Sequence, residues 1–166
     1  ARSPWGEPAE VLAPALDNFT TLLTLQPAEA NRLARLQHWT QAEFDHRRGV
    51  FAARKAAGFI RECHGDLHLG NLVLLDGQVV PFDCIEFNPA LRWIDVLNEM
   101  AFLVMDCRSR GQQPASFAAL NAYLELSGDY AGLALLDFFC SYRAMVRAKV
   151  SLLAVLPPVT SGSEAH

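Results

Sequence analysis

From Asn71 to Asp83 the chain reads NLVLLDGQVVPFD, two β-prone runs joined by Asp76-Gly77. Asp-Gly supports the positive φ angles of a tight two-residue turn, so this segment predicts a hairpin with strands over 71–75 and 78–82. The hairpin constrains the fold more than any other feature, because strand pairing returns Asp83 to the end where Asn71 begins. Immediately upstream lies HGDLHLGN, residues 64–71, in which Gly65 and Gly70 bracket a loop that a regular element would hardly sustain. Residues 58–63 form a short run that could be extended.

Loop and hairpin together supply a carboxylate at Asp66, a carboxamide at Asn71 and a second carboxylate at Asp83. A phosphoryl-transfer site needs that set, because its catalysis is mostly positioning and charge neutralisation. Asp66 suits a base beside an attacking hydroxyl. Asn71 and Asp83 suit Mg²⁺, which takes hard oxygen ligands at about 2.0–2.1 Å and keeps several waters. Two protein ligands plus the phosphates of a nucleotide are then a sufficient site.

The segment resembles the catalytic and metal-binding loops of the aminoglycoside phosphotransferase and choline kinase branch of the protein-kinase-like superfamily. Protein kinases carry H-R-D-x-x-x-x-N followed by D-F-G at these places. Here Gly65 stands for the Arg, and Asp83-Cys84-Ile85 stands for D-F-G. ECHGDLHLGN, FDCIEFNP and RWIDVLNE resemble still more closely a group of bacterial aminoglycoside phosphotransferase family proteins, some fused to a P-loop ATP-binding domain. The resemblance covers about residues 61–106. It implies ATP as phosphoryl donor, Asp66 as catalytic base, Asn71 and Asp83 as ligands of the Mg²⁺ that holds the nucleotide, and His64 as a structural member of the loop. It also implies that Asp95 supports the catalytic loop by hydrogen bonding. The acceptor would be a hydroxyl of an unidentified small molecule.

A kinase of this kind also needs a roof over the nucleotide, with a Gly-rich hairpin, a strand Lys and a helix Glu. Nothing upstream of Glu62 supplies it, and Lys55 lies in FAARKAA, which reads as helix. No G-x-x-x-x-G-K-[ST] phosphate loop occurs either. The expectation is therefore a kinase-like C-terminal lobe over residues 1–156 and a flexible tail over 157–166, with the N-terminal nucleotide-binding lobe absent. Such a chain would be an inactive fragment of a phosphotransferase, its missing partners being that lobe and possibly a fused P-loop domain. The alternative is a non-catalytic interaction module built on the same lobe.

Composition agrees with one packed lobe: 166 residues, 51% hydrophobic and 19% charged. Acidic residues outnumber basic ones, 18 to 14, without a dense Lys/Arg run, which disfavours nucleic acid. Cysteines 63, 84, 107 and 140 are scattered and suit a reducing cytoplasm as buried apolar residues. No apolar run approaches the roughly 18 residues of a membrane span.

Apolar spacing predicts five helices beside the hairpin, a mainly helical α+β fold. The first carries Leu12, Leu16, Phe19 and Leu23 inward and stops at Gln26-Pro27. The second carries Leu33, Leu36 and Phe44 and stops at Gly58. The third follows Asn88-Pro89, with Ile94, Leu97, Ala101 and Val104 on one face. The fourth spans about 114–126, with Phe117, Leu120 and Leu124 inward. The fifth spans about 130–156, with Leu136, Cys140, Val146, Val150 and Leu153 inward. Several polar residues have blander readings. Asp66 could cap a turn, Asn71 start a strand and Asp83 cap a strand end. His64 and His68 could instead hold a transition metal. His68 could also be a solvated loop residue or a loop-packing hydrogen bonder, and Glu86 a metal-region charge or a salt-bridge partner. Arg143, Arg147 and Lys149 read as a solvated face rather than a phosphate site, and Trp39 and Trp93 as core.

Overall fold

The computed structural model describes residues 4–155; the predicted tail at 157–166 lies outside them. Five α-helices account for most of the chain: α1 Pro8–Leu25, α2 Ala30–Ala56, α3 Val96–Ser109, α4 Gln113–Ser127 and α5 Leu136–Val155. Between α2 and α3 lie four short strands, β1 Ile60–Glu62, β2 Leu72–Leu75, β3 Gln78–Pro81 and β4 Trp93–Asp95. They form two antiparallel pairs, β1 with β4 and β2 with β3. The fold is α+β and mainly helical, as expected.

Local chemistry explains most boundaries. Pro8 opens α1 at its first turn, and Glu7 with Glu10 forms a capping box. Pro27 starts a 3₁₀ turn, Pro27–Glu29, that separates α1 from α2. Asp76 and Gly77 both take positive φ, 49° and 78°, so β2 and β3 close through the predicted turn. Their register pairs Leu72 with Pro81, and the Phe82 amide donates to the Asn71 carbonyl at 3.0 Å. Asp83 consequently follows directly on the residue bonded to Asn71.

The third helix begins later than its apolar pattern suggested. Ile94 lies in β4, opposite Arg61 of β1, because Asp95 caps α3 by accepting the Leu97 amide at 2.8 Å. A second strand pair, not foreseen, thereby brackets the 64–92 segment. The fifth helix is also shorter, since Tyr130–Leu135 is a 3₁₀ segment ahead of it.

The core lies mainly among α2, α3 and α5, where Phe44, Phe51, Phe138 and Phe139 stack edge-on or tilted with centroids 5.0–6.2 Å apart. A second cluster of Phe19, Leu22 and Leu33 joins α1 to α2. Phe117, Val150 and Leu153 are exposed, contrary to the periodicity reading, because the buried stripe of α5 runs through Phe138, Phe139 and Tyr142 and that of α4 through Ser116, Leu120 and Leu124. Trp39 is exposed rather than core, and Trp93 is half-buried in β4. Arg143 is buried rather than part of a solvated face.

An ion cluster stitches the interior. Arg54 of α2 donates Nε and Nη2 to the two oxygens of Asp95 at 2.7 and 2.8 Å, and Nη1 and Nη2 to Asp129 at 2.6 and 2.8 Å. All three side chains are buried. Burial lowers the guanidinium pKa, but hydrogen bonds to Asp95 and Asp129 outweigh it and hold the charge above its ordinary value. The Tyr123 hydroxyl also donates to Asp129, at 2.5 Å. No helix among the described residues is long and apolar enough to cross a membrane.

Candidate active-site loop

Every main-chain amide from Gly65 to Asn71 has an acceptor, although the segment has no regular structure before its terminal 3₁₀ turn, Leu69–Asn71. Glu99 of α3 takes Gly65 at 2.7 Å and Leu67 at 3.0 Å. Asp106, two turns further along the same helix, takes Leu69 at 3.0 Å. The His64 ring takes the Asp66 amide, and the His68 ring takes the Gly70 amide. The His68 and Asn71 amides close on the carbonyls of Asp66 and His68. A loop so fully satisfied stays in one conformation, because each broken bond would leave a polar group unpaired.

That rigid loop presents Asp66 and Asn71 to one another. The Asn71 carboxamide donates to the Asp66 carbonyl at 2.9 Å and to its carboxylate at 3.1 Å. With Nδ2 committed to Asp66, the Asn71 oxygen is left as the atom available to a hard cation. Asp66 is half-buried, and its carboxylate lies 3.4 Å from His68 Nε2. His68 Nδ1 accepts from the Gly70 amide, and its Nε2 lies between that carboxylate and Arg147 Nη1, the latter at 3.3 Å.

His64 joins the loop to the hairpin. Its Nδ1 accepts from the Asp66 amide, so Nε2 carries the proton and donates to the Phe82 carbonyl at 2.7 Å. One imidazole thus fixes the backbone of Asp66 and of the residue before Asp83. The Ile85 amide, donating to the His64 carbonyl at 3.1 Å, holds the far side of Asp83. Asp83 itself is exposed and takes φ 59°, a left-handed conformation that Asp tolerates better than most residues. His64, Asp66, Asn71 and Asp83 are therefore gathered on one end of the hairpin, as the sequence reading required.

Two readings change. Both rings of HGDLH are spent on loop hydrogen bonds, which argues against His64 and His68 as transition-metal ligands. Among the described residues no group of three or more His, Cys, Asp or Glu is placed to hold a metal. The donors present, one carboxamide oxygen and one exposed carboxylate, fit a hard cation that brings its other ligands as water or phosphate. Asp95, expected to support the loop, bonds instead to Arg54 and the Leu97 amide. Its effect on the loop is indirect, through β4 and the start of α3.

The direct supports are Glu99 and Asp106, which sequence reasoning did not single out, and Arg143, which it placed on a solvated face. Arg143 of α5 donates to the Gly65 carbonyl at 3.2 Å and to Asn98 Oδ1 at 2.7 Å. One signal was present: Glu99, Phe102 and Asp106 recur at helical spacing, placing two acids on the face that carries a buried Phe. Gly65 is also explained. Its φ is 87°, and an added Cβ would lie 2.7 Å from the Leu91 carbonyl oxygen. Cys63, beside the loop, is shielded: burial, with Glu99 and Asp95 nearby, pushes its thiol up to about 12.

The chain is 37% identical over 118 residues to uncharacterized proteins of Mycobacterium tuberculosis and Mycobacterium bovis. The match takes in 71% of this chain but 24% of each relative, so the chain spans about a quarter of the length of the curated relatives it matches. No family model matches it, and no solved structure does.

Proposed function

We propose that the chain is the acceptor-side, kinase-like C-terminal lobe of an ATP- and Mg²⁺-dependent phosphotransferase acting on a hydroxyl of a small molecule, of the aminoglycoside phosphotransferase kind. The observation that carries this reading is the rigid 64–71 loop. It bonds Asn71 to Asp66 while the hairpin delivers Asp83 beside them. Asp66 would orient or deprotonate the acceptor hydroxyl. Asn71 and Asp83 would hold Mg²⁺, whose contribution is to neutralise the nucleotide phosphates. His64 keeps the two halves of the site in register. A cytoplasmic setting belongs to the same proposal and rests on the scattered free cysteines.

In this reading a nucleotide-binding lobe completes the site, and this chain by itself is inactive. The hairpin supports that requirement. Leu74, Val79 and Phe82 are 70%, 66% and 48% exposed, leaving an apolar ribbon beside Asp83 that a covering lobe would bury.

The same ribbon favours a second reading, a non-catalytic module that docks a protein partner there. Calorimetric titration of ATP, with and without Mg²⁺, separates the two when done on this chain and on the longest natural form of the protein. Mg²⁺-dependent binding by the longer form supports the phosphotransferase. Binding by neither refutes it and leaves the interaction module.

A further inference from the structure

Residues of α1, β4 and α5 line a partly open cavity of about 400 Å³. That volume suits a small organic ligand. Its walls are mainly apolar, with Val11 and Pro14 from α1, Leu91 and Trp93 from the segment leading through β4, and Phe139 and Tyr142 from α5. Asp66, Asn71 and Asp83 do not line it. It is thus separate from the phosphoryl-transfer position, and nothing in the phosphotransferase reading uses it.

Its polar groups carry an unbalanced charge. Arg143 lines the cavity and is 6% exposed. Its two hydrogen-bond acceptors, Asn98 Oδ1 and the Gly65 carbonyl, are neutral, and its guanidinium otherwise lies against the rings of Phe102 and Tyr142. No carboxylate oxygen among the described residues pairs with it within 4.0 Å. Two of its five N–H donors are used, so a planar fork remains for a ligand.

Two acids also line the cavity, and both are engaged. The Asp95 oxygens accept from Arg54 and the Leu97 amide, and Glu10 is exposed at the mouth and accepts from the Glu7 amide. Glu99 binds loop amides rather than Arg143. Arg54 is shared with Asp129, so Asp95 and Glu10 keep negative charge on the lining. Arg143 is nevertheless the one cation among the described lining residues and has no carboxylate partner of its own, and the apolar walls suit a monoanion better than a strongly hydrated dianion.

We infer that this cavity binds a small organic carboxylate with an aromatic or branched aliphatic body, its carboxylate on Arg143. Because Arg143 also holds the Gly65 carbonyl, occupancy is transmitted to the loop that carries Asp66. Arg143 is here a positioning residue, and the site is regulatory.

The test is titration of the 166-residue chain with 3-phenylpropionate, 3-phenylpropionamide and phenethylamine, followed by amide NMR shifts, a readout independent of nucleotide and of the phosphotransferase reading. The expected result is saturable binding of the carboxylate, with shifts at Gly65 and Leu67, and affinity at least about tenfold weaker for the amide. Arg143→Lys should weaken carboxylate binding about tenfold. Glu10→Gln, which removes an acid at the mouth, should tighten it about twofold. Should Arg143→Lys fail to fold, Val11→Phe fills the cavity with Arg143 intact and should abolish binding. Equal affinity for carboxylate and amide, tighter binding of the amine, or no saturable shift up to about 10 mM carboxylate would each overturn the assignment.

Discussion

The two carboxylate oxygens of Glu99 accept the amides of Gly65 and Leu67, at 2.7 and 3.0 Å, and so grip Asp66 from both sides. In Glu99→Gln one acceptor becomes a donor that faces another donor. An orphaned buried amide costs about 1–3 kcal/mol, so the substitution should remove about 2–3 kcal/mol of stability. For a chain of this size that is a fall in Tm of about 5–10 °C. Hydrogen exchange at Gly65 and Leu67 should accelerate while α4 is unaffected. Unchanged exchange at both amides would mean that Glu99 does not clamp the loop.

Gly65 and Gly77 both take positive φ, yet only Gly65 is crowded, by the Leu91 carbonyl. Gly77→Ala should cost about 1 kcal/mol, the conformational penalty alone. Gly65→Ala should cost about 3 kcal/mol or more, since the added methyl also collides with the Leu91 carbonyl. Urea unfolding of the two variants checks the difference; equal losses would remove the packing explanation for Gly65.

The Arg54 cluster makes a prediction about pH. Burial raises the Asp129 carboxyl, but hydrogen bonds from Arg54 and Tyr123 outweigh it and leave it below its ordinary 3.8. A depressed folded-state pKa contributes stability that is complete above 3.8 and is lost as pH falls through the folded value. Burial and the bond to Asp129 raise Tyr123 above its ordinary 10.0, so its contribution is complete below pH 10.0 and is lost as pH rises further. Asp129→Asn leaves Arg54 paired with Asp95 alone and weakens the charge-assisted bonds to Arg54 and Tyr123, so it should cost about 1.5–3 kcal/mol at neutral pH, with a flatter acid limb. Tyr123→Phe should flatten the alkaline limb. Unfolding free energies measured across pH decide both.

The proposed roles of Asp66 and Asp83 separate by kinetics in the longest natural form of the protein. Asp66→Asn should lower kcat by about a thousandfold while leaving nucleotide affinity within about twofold. Asp83→Asn tolerates the left-handed backbone but loses the charge, and should weaken nucleotide binding only when Mg²⁺ is present. Full turnover in Asp66→Asn would refute its assignment as base.

Sequence alone determined what neighbouring residues decide. Asp76-Gly77 sets the hairpin turn and so carries Asp83 back to Asn71. Pro8, Pro27 and Gly58 punctuate the first two helices, and HGDLHLGN contains the donors that its own loop uses. These outcomes depend on backbone sterics and bonds spanning a few residues, which a short window of sequence contains. Ile94 was misread because its strand exists only by pairing with Arg61, and a period of apolar residues cannot show a partner strand. Phe117, Val150 and Leu153 were misread because α4 and α5 each carry more than one apolar stripe, and only the neighbouring helices choose which is buried. Tertiary structure also decided what makes the loop rigid. Glu99, Asp106 and Arg143 reach it from 32 to 78 positions away. A polar residue on an inward helix face has no definite role until folding brings its partner within hydrogen-bonding distance.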